Sequence, residues 1–157
     1  MTDRRRGTLI IGIGNPDRGD DGAGRAAVAR LKTRLPKDIR VTESDGDATA
    51  LLARFSEADD VILIDAAMSG AVPGTLGRFD AHEAPLPAAR SGMSTHGFGL
   101  AEAIELARTL GQLPKRCVVY AIEGRSFAIG DRLSPDVEAG VEAAVARILD
   151  TLSEKTG

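Results

Sequence analysis

The chain of 157 residues has no tryptophan, one tyrosine and a single cysteine, Cys117. Aromatics at 3% leave no stacking platform for single-stranded nucleic acid. One cysteine excludes a disulfide framework and points to a reducing, cytoplasmic setting. Basic charge is not in excess either. The formal net charge is −3, which does not favour binding to phosphates, so no nucleic-acid partner is expected. No segment approaches the roughly 20 apolar residues that span a bilayer, so no membrane partner is expected. Arg4, Arg5 and Arg6 precede an apolar run of only about seven residues without a small-residue cleavage pattern, and read as a solvated basic tail. The motifs HExxH, CxxC and GxSxG are all missing, which removes the usual zinc-protease, thiol-redox and serine-hydrolase readings.

What is present is concentrated near the start, in Leu9-Ile-Ile-Gly-Ile-Gly-Asn-Pro-Asp-Arg-Gly-Asp-Asp-Gly-Ala-Gly24. An apolar run runs into a glycine-rich turn, which delivers Asp17, Asp20 and Asp21 to the start of a helix. Phosphate-binding loops share this layout, but their helix N-terminus attracts an anion that these carboxylates would repel. The spacing also departs from the dinucleotide fingerprint, because Asp17 stands where the third glycine is required. The loop suits a cation.

The length fits one domain with a real core. Expected boundaries are a flexible tail over 1–7, an α/β domain over 8–152 and a C-terminal tail over 153–157. Val- and Ile-rich runs at 8–14, 39–43, 60–66 and 117–122 read as strands of a buried parallel sheet. A mixed-polarity piece at 75–80, after Pro73-Gly74, reads as an edge strand, with antiparallel pairing open to it. Helical periodicity marks 21–34, 48–56, 97–110 and 134–152, the last with Ser134 as N-cap and Pro135 at its first position. The fold class is therefore α/β, a single three-layer domain whose mostly parallel twisted sheet of about five strands carries helices on both faces.

Right-handed crossovers put every strand-to-helix turn at one sheet edge. Asp17, Asp20 and Asp21 meet there with Asp45 after the second strand, Asp65 closing the third, and His96 before the third long helix. An aspartate ending an apolar strand needs a partner for its charge. A helix N-terminus disfavours imidazolium, so His96 is expected to be neutral near pH 7 and able to ligate. Two carboxylates and an imidazole with open positions suit a divalent transition metal. Blander readings compete at each position. Asp20 reads as an N-cap, Asp21 as a partner of the helix dipole, Asp45-Gly46 as a simple turn and His96 as a surface or satisfied histidine. His82 reads as a solvated loop residue and Cys117 as inert core.

Gly12–Gly24, Ile-Leu-Ile-Asp65-Ala, Ser94-Thr-His-Gly-Phe-Gly-Leu100, Val119-Tyr-Ala-Ile-Glu-Gly124 and Leu133-Ser-Pro-Asp-Val137 occur in order and cover nearly the whole chain after residue 7. In this the chain resembles the nickel–iron hydrogenase maturation endopeptidases. The resemblance implies a hydrolase that removes the C-terminal extension of a hydrogenase large-subunit precursor after nickel insertion. It implies metal binding and catalysis by Asp21, Asp65 and His96, with nickel supplied by the substrate. Position 21 is Glu or Asp in the family. The resemblance also implies substrate contact by Asn15, Asp45 and Gly46, although the family's Asp-Gly-Gly-Thr appears here as Asp45-Gly46-Asp47-Ala48-Thr49. A one-to-one encounter with the precursor makes a monomer the expected state. A metal-dependent hydrogenase chaperone that binds without cutting is the main alternative. A peptidyl-tRNA hydrolase-like enzyme, which shares the opening strand and Gly-Asn-Pro, is a more distant one.

Overall fold

The computed structural model describes residues 7–87 and 99–156. These form a five-stranded sheet in the order β2-β1-β3-β5-β4, with β1 Thr8–Ile13, β2 Arg40–Ser44, β3 Asp60–Ala67, β4 Leu76–Asp80 and β5 Arg116–Glu123. Strands β2, β1, β3 and β5 are mutually parallel. The edge strand β4 runs antiparallel to β5. The expected fold class holds, mixed-polarity edge strand included.

Alternating side chains divide the sheet between two cores. Leu9, Ile11 and Leu63 lie on the face that packs with Leu51 and Phe55 of α2 (Ala48–Phe55) and Ile104 of α3 (Leu100–Leu110). Ile10, Ile62 and Ile64 lie on the other, against Val28 of α1 (Ala23–Lys32) and Val141 and Ile148 of α4 (Pro135–Thr156). Helix α1 comes unusually close to the sheet, at two facing glycines. A Cβ on Gly12 would stand 2.5 Å from the Gly24 carbonyl oxygen, and one on Gly24 would overlap the Ile64 carbonyl.

Helix boundaries differ from expectation chiefly at the start of the first helix and the end of the last. The segment from 19 to 22 is a separate 3-10 turn, Gly19–Gly22, before α1 begins at Ala23. Helix α4 continues through Thr156 into the stretch read as a tail, because no glycine or proline interrupts it before Gly157. No described helix is long and apolar enough to cross a membrane. Because β1, β2, β3 and β5 run parallel, their carboxyl ends open on one side, and the site lies there.

Candidate functional site

The first loop is wound tightly on itself. Gly14 leaves β1 at φ 137°, a conformation that side-chain-bearing residues rarely adopt, and a Cβ there would collide with the Asp21 backbone carbonyl. Its amide donates to the Ser44 carbonyl at 3.0 Å, tying the loop to the end of β2. Its carbonyl accepts from Arg25 Nε at 2.6 Å. The Asn15 amide then donates to Asp21 Oδ2 at 3.0 Å, while Asn15 Oδ1 accepts from the Asp17 amide at 2.9 Å. Asn15 thus shapes the loop that holds Asp21.

Asp20 does not cap its own helix. The residue before the 3-10 turn is Arg18 and the one before α1 is Gly22, neither with a side-chain cap. Asp20 is fully buried and turns its carboxylate to a distant loop. Oδ2 accepts from the Arg125 amide at 2.7 Å, the Ser126 amide at 3.0 Å and Ser134 Oγ at 2.8 Å. Oδ1 accepts from the Ser134 amide at 2.7 Å. Burial by itself would raise the Asp20 pKa, but these bonds to the charged form together outweigh it and hold the carboxyl below its ordinary value. The Asp20 amide donates back to the Ser126 carbonyl at 2.8 Å, the Gly130 amide to the Asp17 carbonyl at 2.8 Å, and Arg18 Nε to the Phe127 carbonyl at 3.3 Å. The loop after β5 and the loop bearing Asp21 are one hydrogen-bonded unit.

Asp65 stands near the carboxyl end of β3, in register with Ala121 of β5. Desolvation pushes its carboxyl up to about 7, against a hydrogen bond from the Ala66 amide and with help from the negative charge of Asp21. Both carboxylates line one cleft of about 1020 Å³, together with Gly14, Arg18, Gly46 and Glu123. Its remaining walls are largely apolar, with Met68, Phe79, Leu86 and Phe127 among them. Chemically, this places next to Asp21 a group that can hold or release a proton near neutrality. The same two carboxylates are oxygen donors for a divalent cation, which would relieve their mutual repulsion.

The other expected site residues fall less uniformly. Gly46 lines the cleft, at φ 95°. Asp45 is exposed, and its Oδ1 accepts from the Asp47 amide at 3.1 Å, the geometry of a turn. Asp47 caps α2 through the Ala50 amide at 2.9 Å. His96 lies outside the described residues, as do 97 and 98, and the helix expected over 97–110 begins at Leu100, after an extended Gly99. Among the described residues no group of three His, Cys, Asp or Glu side chains gathers as a metal site.

Two remaining titratable residues play no part here. Cys117 is fully buried and desolvation pushes its thiol up to about 12, so it is inert core. His82 is exposed, with Nε2 2.6 Å from the Pro114 carbonyl. Glu123 is a further acidic cleft residue that was not singled out from the sequence. It lay inside a stretch noted only for its resemblance, and an acidic residue ending an apolar strand was the available signal.

An open α/β sheet with paired carboxylates in a loop-lined cleft at its carboxyl edge defines a class of proteins that act on a ligand at that edge. The family follows from comparison. A model of the hydrogenase maturation protease family matches residues 26–151, and the chain belongs to that family. The hydrogenase expression/formation protein HupM of Azotobacter chroococcum mcd 1 is 30% identical over 158 residues, covering 99% of this chain and 76% of that one. The hydrogenase 2 maturation protease of Escherichia coli is 29% identical over 149 residues, covering 93% and 90%. Among solved structures, the hydrogenase maturating endopeptidase HybD from E. coli superposes with a TM-score of 0.80 at 27% identity, covering 95% of this chain and 93% of that chain. Membership makes the chain a hydrolase of the endopeptidase class, with a role in protein processing.

Proposed function

We propose that this chain removes the C-terminal extension of a nickel–iron hydrogenase large-subunit precursor, and does so after nickel has entered the precursor. The observation that carries the reading is the joint placement of Asp21 and Asp65 in the cleft, where desolvation and the charge of Asp21 raise Asp65 to about 7. The two negative charges repel each other, and a divalent cation would relieve that repulsion. Nickel belongs to the substrate in this reading. It arrives with the precursor and is recognised by Asp21, Asp65 and His96, so an unloaded precursor offers nothing to complete the site. Two carboxylate oxygens and an imidazole nitrogen match the donor preferences of a divalent nickel ion.

Metal held there supplies Lewis acidity toward the scissile carbonyl or toward water. The residues of the chain do the rest. Asp21 is held in place through the Asn15 amide, and Asp65, raised to about 7 while the cleft holds no cation, would give up its proton on ligating one. The apolar walls exclude water from the rest of an extended peptide segment.

The test is processing of the cognate precursor by the parent protein and by His96→Ala, with folding followed by circular dichroism. Loss of processing in a folded His96→Ala protein supports the assignment; ordinary processing removes His96 from the site. A parent protein that binds the precursor and leaves its mass unchanged favours the chaperone reading.

A further inference from the structure

Among the described residues three charged side chains are almost entirely buried, namely Asp20, Asp60 and Glu123. Asp20 joins two loops, as above, and Asp60 begins β3 at the end away from the cleft, 3.7 Å from Arg116. Glu123 is the one that lies in the cleft wall, 4% exposed. A buried carboxylate is tolerated only when hydrogen bonds replace its water. Among the described residues, all of those bonds come from one short segment. Oε1 accepts from Ser69 Oγ at 2.6 Å, and Oε2 from the amides of Ser69 at 2.8 Å and Gly70 at 3.1 Å.

The backbone of Glu123 holds the far end of the same segment. Its amide donates to the Thr75 carbonyl at 2.9 Å, and its carbonyl accepts from the Gly74 amide at 2.7 Å. The connection from β3 to β4, residues 68–75, is therefore fastened at both ends to a single residue. That connection has no hydrophobic anchor: none of residues 68–75 is buried, and Met68 and Val72 are 37% and 73% exposed. Yet Met68, Ser69, Ala71 and Thr75 line the cleft that holds Asp65.

We propose that Glu123 is a positioning residue for the substrate: it fixes residues 68–75 as the cleft wall against which the chain to be cut lies. This rests on the proposed function. Glu123 touches no reacting atom, so its removal weakens substrate engagement and leaves the chemical step intact. In kinetic terms KM rises while kcat holds.

The experiment uses the full chain and its nickel-loaded precursor, with Glu123→Ala, Glu123→Gln and Ser69→Ala compared by steady-state cleavage. The Ala variant is expected to raise KM about tenfold with kcat within about twofold, the pattern of lost uniform binding. In the Gln variant the amide oxygen can accept both backbone N–H groups while its NH2 donates to Ser69 Oγ, so near-parental KM is expected. Ser69→Ala, which loses only the hydroxyl bond, should raise KM by about threefold; it decides the matter if Glu123→Ala does not fold. Amide exchange provides the independent readout. The Ser69 and Gly70 amides should be protected in the parent and in Glu123→Gln, and unprotected in a folded Glu123→Ala. Parental KM in folded Glu123→Ala, or in Ser69→Ala where the former does not fold, overturns the proposal, as do unprotected amides at 69 and 70 in the parent. A parent protein that leaves the precursor uncut overturns the proposed function instead, and the exchange data still decide whether Glu123 holds the wall.

Discussion

Asp20 and Ser134 are 114 residues apart in the chain and joined by two hydrogen bonds, from the Ser134 amide at 2.7 Å and the Ser134 hydroxyl at 2.8 Å. Ser134 immediately precedes α4, and its carbonyl accepts the first helical bond, from the Glu138 amide at 2.9 Å. The residue beside the proposed ligand Asp21 thereby anchors the start of the last helix. Asp20→Ala strands three backbone N–H donors, those of Arg125, Ser126 and Ser134, and should cost about 3 kcal/mol or more. The urea midpoint measures this. The folded-state pKa of Asp20 is lowered, so its stabilisation is present above the unfolded value near 4 and disappears as pH falls through the folded value. Asp20→Asn should accordingly flatten the acid limb of stability below about pH 4.

Asp65 has the opposite sign. Its folded-state pKa is raised to about 7, so between the unfolded value and 7 the folded protein binds more protons than the unfolded chain. Without metal, stability should fall on the order of 2–4 kcal/mol as pH rises from about 4 to 8. Asp65→Asn should abolish that fall. A divalent cation should reduce it in the parent protein, since a bound cation favours the ionised form. Urea midpoints across this range, with chelator and with nickel, provide the check.

Gly24 tests the contact between α1 and the sheet. Helix propensity alone would make Gly24→Ala stabilising by roughly 1 kcal/mol. The overlap of its new Cβ with the Ile64 and Ile13 backbones reverses the sign, and a net loss of about 1–3 kcal/mol is expected. A raised midpoint would show that α1 can move off the sheet at little cost.

Much of this fold is legible in the sequence because β1, β3 and β5 are buried on both faces and therefore read as unbroken Val/Ile/Leu runs. Strand β4 is legible for the opposite reason, its mixed polarity and the Pro73-Gly74 turn before it. Asp65 stood out as an acid near the end of an apolar strand. Asp20 could not be read correctly, because its partners lie 105 to 114 residues away and its local setting is that of an ordinary N-cap. The role of Glu123 was hidden similarly, since Ser69 stands 54 residues before it and local pattern does not encode such a pairing. Local physics announces strands and turns; the acids that stitch loops together are defined only by the finished topology.

The measurement that tests the central claim most directly is intact-mass analysis of the hydrogenase large-subunit precursor after incubation with this protein, once nickel-loaded and once nickel-free. Loss of one C-terminal peptide from the loaded precursor alone is the predicted result. Equal cleavage of both forms would contradict recognition of the metal, and no cleavage of either would contradict the processing role itself.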